Sequence, residues 1–219
     1  MKNFQKIGGI AALYMGIMYV LGILGYKLVL DYGSVVDPVQ NVAFLAENQT
    51  FLYFLTLFVY VIFGPFLVVL ALALYERIKA GAQTMMATAT ALGLIWAGLV
   101  IASGMIFIIG MGVVVDLYGT DPGQAATVWL AIDAVFEGTG GGNEIVGGLW
   151  VLLVSWAALR TGGLPKLLNY LGLVIGLAGI LSTVPLLAEI GQAVFGLGQI
   201  VWFIWLGIVL LLNPTNVEA

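Results

Sequence analysis

The sequence contains no cysteine and no histidine among its 219 residues. Without cysteine there can be no disulfide, no thiolate nucleophile and no thiolate metal ligand. Without histidine the chain lacks the usual ligand of haem, copper and zinc, and the side chain that most often moves protons near neutral pH. Any chemistry must therefore rest on carboxylates, amides, hydroxyls and aromatic rings, and we predict no cofactor and no metal site.

Charged residues are also scarce. Only 8% of the residues are Asp, Glu, Lys or Arg, whereas about a quarter of a typical soluble domain is charged. The mean hydropathy is +1.13. The net charge is −4 and no basic run is present, which argues against nucleic acid as a partner. A chain of this composition is expected to have the bilayer as its main solvent and membrane lipids as its first partners.

Long apolar stretches are what the chain does have. A helix needs about 20 apolar residues to cross the hydrocarbon core of a bilayer, and we interpret six stretches as transmembrane helices. The predicted fold is therefore all-α, a polytopic membrane protein with one integral membrane domain over residues 1–219. The predicted spans are residues 7–30, 51–74, 85–115, 145–159, 167–187 and 193–212.

An additional amphipathic helix is predicted before span four, over residues 124–137. Its apolar face carries Trp129, Ile132 and Phe136 at helical spacing. The glycine-rich run 138–142 follows it, and glycine is a poor residue for continuing a helix. We therefore expect a hinge in this run, with the amphipathic segment lying along the outer surface of the membrane.

Two prolines fall inside predicted spans. Pro65 follows Gly64 near the centre of span two, where it removes a backbone donor and is expected to kink the helix. Pro185 falls in the predicted last turn of span five. Interrupted spans can line a transport pathway, but neighbouring helices more often satisfy such kinks.

The basic residues predict the orientation of the chain, because Lys and Arg near span ends mark the cytoplasmic side. Only Lys27 lies opposite the other six basic residues. Both termini are therefore expected in the cytoplasm, and most carboxylates at the outer face. The six basic residues on the predicted cytoplasmic side are Lys2, Lys6, Arg77, Lys79, Arg160 and Lys166.

The candidate ligand-binding residues are polar side chains expected at or near the outer face. Carboxylates buried near a membrane are costly unless they are paired, hydrated or bound, so such a group can bind a cation, an amine or protons. The structural alternative is that the glutamates complement helix ends or face water. The candidates are Asp133, Glu137, Glu144, Glu189, Gln192 and Gln199, of which Gln199 is expected to lie deepest.

Small residues and tryptophans favour structural roles. Gly172, Gly176 and Gly179 have a spacing that allows helices to pack closely. Tryptophans in membrane proteins are more often interfacial or lipid-facing than part of a stacking site. We apply that interpretation to Trp150, Trp156, Trp202 and Trp205.

Three stretches carry a resemblance to a known family: IGGIAALY at 7–14, LRTGGLPK at 159–166 and LGLVIGLAG at 171–179. They resemble a family of small bacterial six-span integral membrane proteins catalogued as a domain of unknown function. The resemblance implies a multi-pass protein of the bacterial plasma membrane. It carries over no catalytic residue.

Three functions of different classes fit these observations. The first is non-enzymatic binding or transport of a small apolar or amphipathic molecule between the helices, with the outer carboxylates at the entrance. The second is an accessory subunit of a membrane protein complex, or a homo-oligomer, packed through small residues. The third is a cation-dependent membrane enzyme or transporter based on carboxylates, for which Asp133 and Glu137 have a suitable spacing.

Overall fold

In the computed structural model, residues 2–29, 37–141 and 144–213 are described, and they form helices and turns with no strand among them. The predicted all-α class is confirmed. Helix α1 is Lys2–Ile23, and it continues as a wider π turn over Leu24–Val29. The other helices are α2 Pro38–Glu47, α3 Gln49–Ile78, α4 Gln83–Tyr118, α5 Pro122–Phe136, α6 Ile145–Thr161, α7 Lys166–Leu181 and α8 Ala188–Leu212.

Among the described residues, five helical stretches are long and apolar enough to cross a membrane. The chain is therefore a multi-pass helical membrane protein. Helix α7, which is the predicted fifth span, has 16 residues, or about 24 Å of helix, which is less than the hydrocarbon core of about 30 Å. Six spans are accordingly not confirmed. The five stretches are Asn3–Tyr26, Gln49–Ile78, Gln83–Tyr118, Pro122–Thr161 and Ala188–Leu212.

The end of α7 corrects the prediction that Pro185 lies in the last helical turn of span five. The helix stops at Leu181, four residues before the proline. The hydroxyls of Ser182 and Thr183 donate to the carbonyls of Gly179 and Ile180 at 2.7 and 2.8 Å. These bonds compete with the regular ladder. The helix therefore ends at Leu181, three residues before Val184, the residue whose backbone Pro185 restricts.

Helix α8 begins at Ala188, five residues before the predicted start of span six at 193. Glu189 therefore lies in its first turn rather than in a connecting turn. A negative charge at this position is favoured by the positive end of the helix dipole.

The segment between predicted spans one and two contains a helix, Pro38–Glu47, that we did not predict from the sequence. Helix α2 begins after Asp37, whose carboxylate accepts a hydrogen bond from the backbone N–H of Gln40 at 2.8 Å. Pro38 occupies the first helical position, where the missing N–H costs nothing. The Asp-Pro pair is thus a helix start signal rather than a loop signal.

Helix α3 contains a widened π turn over Leu57–Ile62. Gly64 and Pro65 follow it after one residue, Phe63. Pro65 has no N–H to donate and its ring crowds the carbonyl four residues earlier, so the regular ladder cannot continue through this point. The expected disturbance of span two takes the form of this wider turn.

The helix also breaks at the predicted glycine run. Gly140 leaves helical geometry with φ 164° and ψ 4°. The carbonyl of Phe136, one turn earlier, accepts a hydrogen bond from the hydroxyl of Ser103 at 2.9 Å. A side chain thus satisfies a carbonyl at the end of the regular ladder. Residue 142, the last of the run, lies outside the described residues, as does residue 143.

The chain forms two compact units. Unit 1 comprises Met1–Tyr19, Phe63–Gly98 and Asn143–Ala219, and unit 2 comprises Val20–Ile62 and Leu99–Gly142. The single membrane domain remains a prediction. In unit 2, α2 packs against α5, and Trp129, Phe136 and Phe107 are buried in its core. Two residues of the predicted apolar face of segment 124–137, Trp129 and Phe136, thus lie in this core, and Ile132 is partly buried against it.

Close approach of helices holds unit 1 together. A Cβ placed on Gly148 of α6 would lie 2.7 Å from the carbonyl oxygen of Gly176 and 2.9 Å from the backbone nitrogen of Ile180. A Cβ on Gly207 of α8 would lie 2.9 Å from the carbonyl oxygen of Gly9 in α1. These contacts are possible only because glycine has no side chain, as expected for small residues between membrane helices.

Arg77 joins four segments of unit 1. Its Nε donates to the carbonyl of Gly163 at 2.9 Å, and its Nη1 donates to Oε1 of Gln5 at 3.0 Å and to the carbonyl of Asn213 at 2.8 Å. The beginning of α1, the end of α3, the turn after α6 and the end of α8 therefore meet at one guanidinium.

We expect Gly148→Ala to lower the free energy of unfolding by about 1–3 kcal/mol, which is typical of overpacking. The added methyl would collide with backbone atoms that cannot rotate away. The matched control is Gly98→Ala in α4, where a Cβ meets nothing within 4 Å. Denaturation in mixed micelles would measure both variants. Equal stability of the two variants would contradict the close packing at Gly148.

We expect Arg77→Gln to lower the free energy of unfolding by roughly 3 kcal/mol, since a hydrogen bond to a charged group contributes about 1.5–3 kcal/mol. Lys79→Gln is the control. It removes an ion pair with Glu76 in which both side chains are about one-third exposed, and such pairs contribute about 0–1 kcal/mol. The same denaturation experiment distinguishes the two, and a loss as large for Lys79→Gln as for Arg77→Gln would contradict the role of Arg77.

Candidate functional site

The six predicted site residues are divided between the two units. Asp133 and Glu137 belong to unit 2. The other four, Glu144, Glu189, Gln192 and Gln199, belong to unit 1. Each group is therefore described within its own unit.

Asp133 and Glu137 lie one helical turn apart at the end of α5 and just after it. Asp133 is half-buried and Glu137 is exposed. Asp133 lies four residues after Trp129 and three before Phe136, so it borders the buried face of α5. Like charges at this spacing repel one another by a few tenths of a kcal/mol, so the pair gains nothing structurally from its proximity.

Glu144 and Glu189 lie at the starts of two helices of unit 1. Glu144 occupies the N-cap position of α6, and its side chain makes no capping hydrogen bond there. Glu189 is exposed in the first turn of α8. The structural interpretation of these glutamates, that they complement helix ends, is consistent with both positions.

The acidic side chains do not form a metal cluster in the part of the chain that the structure describes. No group of three or more carboxylates is placed to hold a metal ion there. A catalytic Mg²⁺ or Ca²⁺ site needs several oxygen ligands around one ion.

The two glutamines of α8 differ sharply in burial. They are seven residues apart and share one face of the helix, but Gln192 is exposed and Gln199 is fully buried. Neither the Nε2 nor the Oε1 of Gln199 has a hydrogen-bond partner among the described residues. Buried polar atoms nearly always have a partner, so Gln199 is the exceptional member of the predicted set.

The face of α8 that carries Gln199 is otherwise aromatic. Phe195 lies one turn before it, and Trp202 and Phe203 lie one turn after it, all with no exposed surface. The ring of Phe203 is 5.3 Å from that of Trp202 and 6.4 Å from that of Trp150, measured between centroids. Phe195 is 6.2 Å from Trp96. On this face of α8, Gln199 thus lies between one buried aromatic residue in the preceding turn and two in the following turn.

The prediction that the tryptophans face lipid is wrong for Trp150 and Trp202, which are fully buried, and fits Trp156, which is 49% exposed. The indole rings of Trp150 and Trp202 meet edge to face with their centroids 5.7 Å apart. Neither indole N–H has a partner among the described residues.

Ser155 of α6 adds another unpartnered polar atom to this region. Its hydroxyl is buried and has no hydrogen-bond partner in the described part of the chain. A Cβ on Gly172 would overlap this hydroxyl and would lie 2.8 Å from Nε1 of Trp202. Gly172 therefore lets both polar atoms approach the backbone of α7.

The polarity of Gln199 in an apolar helix predicted its burial, but the helical spacing that places Trp202 and Phe203 on the same face was not used. A strongly polar residue in a membrane helix usually faces the interior of the bundle. Residues three and four positions later on the same helix share its face, which assigns Trp202 and Phe203 to the interior. Trp150 lies three residues after Gly147 and shares its face of α6, where a Cβ on Gly147 would lie 2.8 Å from the ring of Trp96.

Comparisons with known proteins identify a family. The profile of a family described as "Domain of unknown function (DUF4386)" matches residues 10–209. Searches for similar curated proteins and for similar solved structures found no match. Since the matched region includes nearly the whole chain, the protein belongs to the DUF4386 family of unknown function.

Proposed function

We propose that this membrane protein binds a small, neutral amphipathic molecule among the helices of unit 1, and that Gln199 makes the central polar contact. The carrying observation is the fully buried carboxamide of Gln199 with two unpartnered polar atoms. Apolar sites with a few convergent polar groups are the common form of small-molecule sites. The proposal leaves open whether binding serves transport or sensing.

The free-energy cost of burying these polar atoms without partners supports the proposal that a ligand binds there. A buried donor or acceptor without a partner costs about 1–3 kcal/mol. Gln199 contributes two such atoms, and Trp150, Trp202 and Ser155 contribute one each. An apolar side chain at position 199 would avoid this cost, and a bound molecule that hydrogen bonds with Gln199 would offset it.

The donors and acceptors indicate the class of ligand. An indole N–H only donates, a carboxamide has two N–H donors and one acceptor, and a hydroxyl does either. Donors are therefore in excess at Gln199, Trp150 and Trp202, and a ligand with acceptor oxygens fits best. No charged side chain is buried among the described residues, which favours a neutral ligand such as a quinone or a ketone-bearing lipid.

The surrounding rings suit the apolar part of such a molecule. Phe63 contacts both Trp96 and Phe203, with centroids 6.2 and 6.3 Å apart. Aromatic rings favour offset-stacked and edge-to-face neighbours, so a flat conjugated body fits this region better than a branched one.

We also propose six spans, with both termini in the cytoplasm of a bacterial cell. After α7, the N–H groups of Thr183, Val184 and Leu187 donate to carbonyls three residues earlier at 2.8–3.3 Å. The backbone is thus partly satisfied without regular helix, which membrane depth requires. Leu186, one residue before the proposed outer end of the span, is 90% exposed. The predicted stretch 167–187 is then long enough to complete span five.

We expect Gln199→Leu to abolish copurification of a bound neutral molecule, because the variant loses the hydrogen-bonding groups that hold it. Gln192→Leu is the matched control on the same face of α8, where the side chain is exposed. Native mass spectrometry of both variants and the unaltered protein, followed by extraction of bound compounds, would measure occupancy.

The free energy of unfolding of the same variants tests the alternative that Gln199 binds nothing. If Gln199 is only an unsatisfied buried amide, the unaltered protein will carry no molecule at one copy per chain. Gln199→Leu will then raise the free energy of unfolding by about 1–3 kcal/mol. That pair of results would overturn the binding proposal.

The six-span topology predicts that Pro165→Cys and Leu186→Cys react from opposite sides of the membrane. The chain has no native cysteine, and both positions are exposed, so each variant gives a clean signal. A membrane-impermeant maleimide applied to intact cells should label position 186 and spare 165. Ala80→Cys, in the basic turn after α3, is the cytoplasmic control. Labelling of 165 and 186 from the same side would exclude span five.

A further inference from the structure

A groove runs along the surface between α6 and α7, separate from the buried region around Gln199. Its volume is about 560 Å³. Its lining consists of Leu152, Trp156, Leu159, Arg160, Leu173 and Leu177. Five of these side chains are apolar and one carries a positive charge, so the groove has one charged end and a long apolar floor.

Arg160 at the end of α6 is an available cation. Its side chain is exposed. Among the described residues the ion pair is that of Lys79 with Glu76, and Arg160 has none. A guanidinium presents N–H donors in a fork that matches two oxygens of a phosphate. Trp156 lies one turn earlier on α6 and is 49% exposed, and tryptophan is enriched at the depth of lipid headgroups.

The length of the groove fits part of one lipid tail. Leu152 and Arg160 are eight residues apart, which is about 12 Å along a helix. Half of the hydrocarbon core is about 15 Å, so a groove of this length lies within one leaflet. The apolar floor therefore begins at the depth of the phosphate and ends before the middle of the bilayer.

We infer that this groove binds an anionic phospholipid. The phosphate pairs with Arg160, Trp156 lies beside the headgroup region, and one acyl chain lies along Leu152, Leu173 and Leu177. Charge complementarity favours an anionic lipid over a zwitterionic one. The acyl chain of either lipid fills the apolar floor equally well, but only the anionic headgroup brings a net negative charge to the guanidinium of Arg160. A helix of another protein would fill the floor and leave the cation in an apolar contact, which is costly.

The test uses the full chain in detergent, with dioleoylphosphatidylglycerol as the anionic probe and dioleoylphosphatidylcholine as the zwitterionic one. Native mass spectrometry gives the apparent dissociation constant for each lipid. We expect the unaltered protein to prefer phosphatidylglycerol, and Arg160→Gln to lose on the order of tenfold in affinity for it, with little change for phosphatidylcholine. Arg160→Lys keeps the positive charge but loses the forked N–H donors of the guanidinium. Its affinity for phosphatidylglycerol should lie between those of the unaltered protein and Arg160→Gln.

The control is Lys6→Gln, which removes an exposed positive charge at the beginning of α1 and should leave the lipid preference unchanged. Equal affinity for the two lipids would overturn the inference, as would equal losses in Arg160→Gln and Lys6→Gln, since binding would then depend on net charge alone. Gln199→Leu should retain the preference for phosphatidylglycerol, so this site and the proposed function fail or hold independently.

Discussion

Polar groups in a membrane must be satisfied by the protein itself, and this constraint explains most of the described structure. In the hydrocarbon core no water is available to backbone N–H and carbonyl groups. Where the helical ladder is interrupted, a side chain takes over, as when Ser103 donates to the carbonyl of Phe136. Arg77 does the same for the carbonyls of Gly163 and Asn213. Gln199 is conspicuous because it departs from this rule.

The general architecture was predictable because hydrophobicity and chain breakers act locally. Long apolar runs specify helices at membrane depth, and the positions of α4 and α6 follow from them. The glycine run at 138–142 marks a real break at Gly140. Such signals depend only on residues that are neighbours in the sequence, so they do not change with the tertiary contacts of the chain.

The details that failed depend on side chains bonding to the backbone or on distant partners. The early end of α7 results from the hydroxyls of Ser182 and Thr183 rather than from Pro185. Helix α2 depends on the carboxylate of Asp37. The burial of Trp150 is decided by other helices, since an apolar face looks the same whether it meets lipid or protein. Among the candidate site residues, only the burial of Gln199 could be predicted from its polarity.

The meeting of α1 with α8 has a consequence for how the protein is made. Gly9 packs against Gly207, and Arg77 binds both Gln5 and the carbonyl of Asn213. Helix α1 thus finds this partner only after the six helices between them have been made and α8 has been inserted. Until then α1 remains against lipid or a temporary partner, and unit 1 closes late, as contacts between distant parts of a chain generally do.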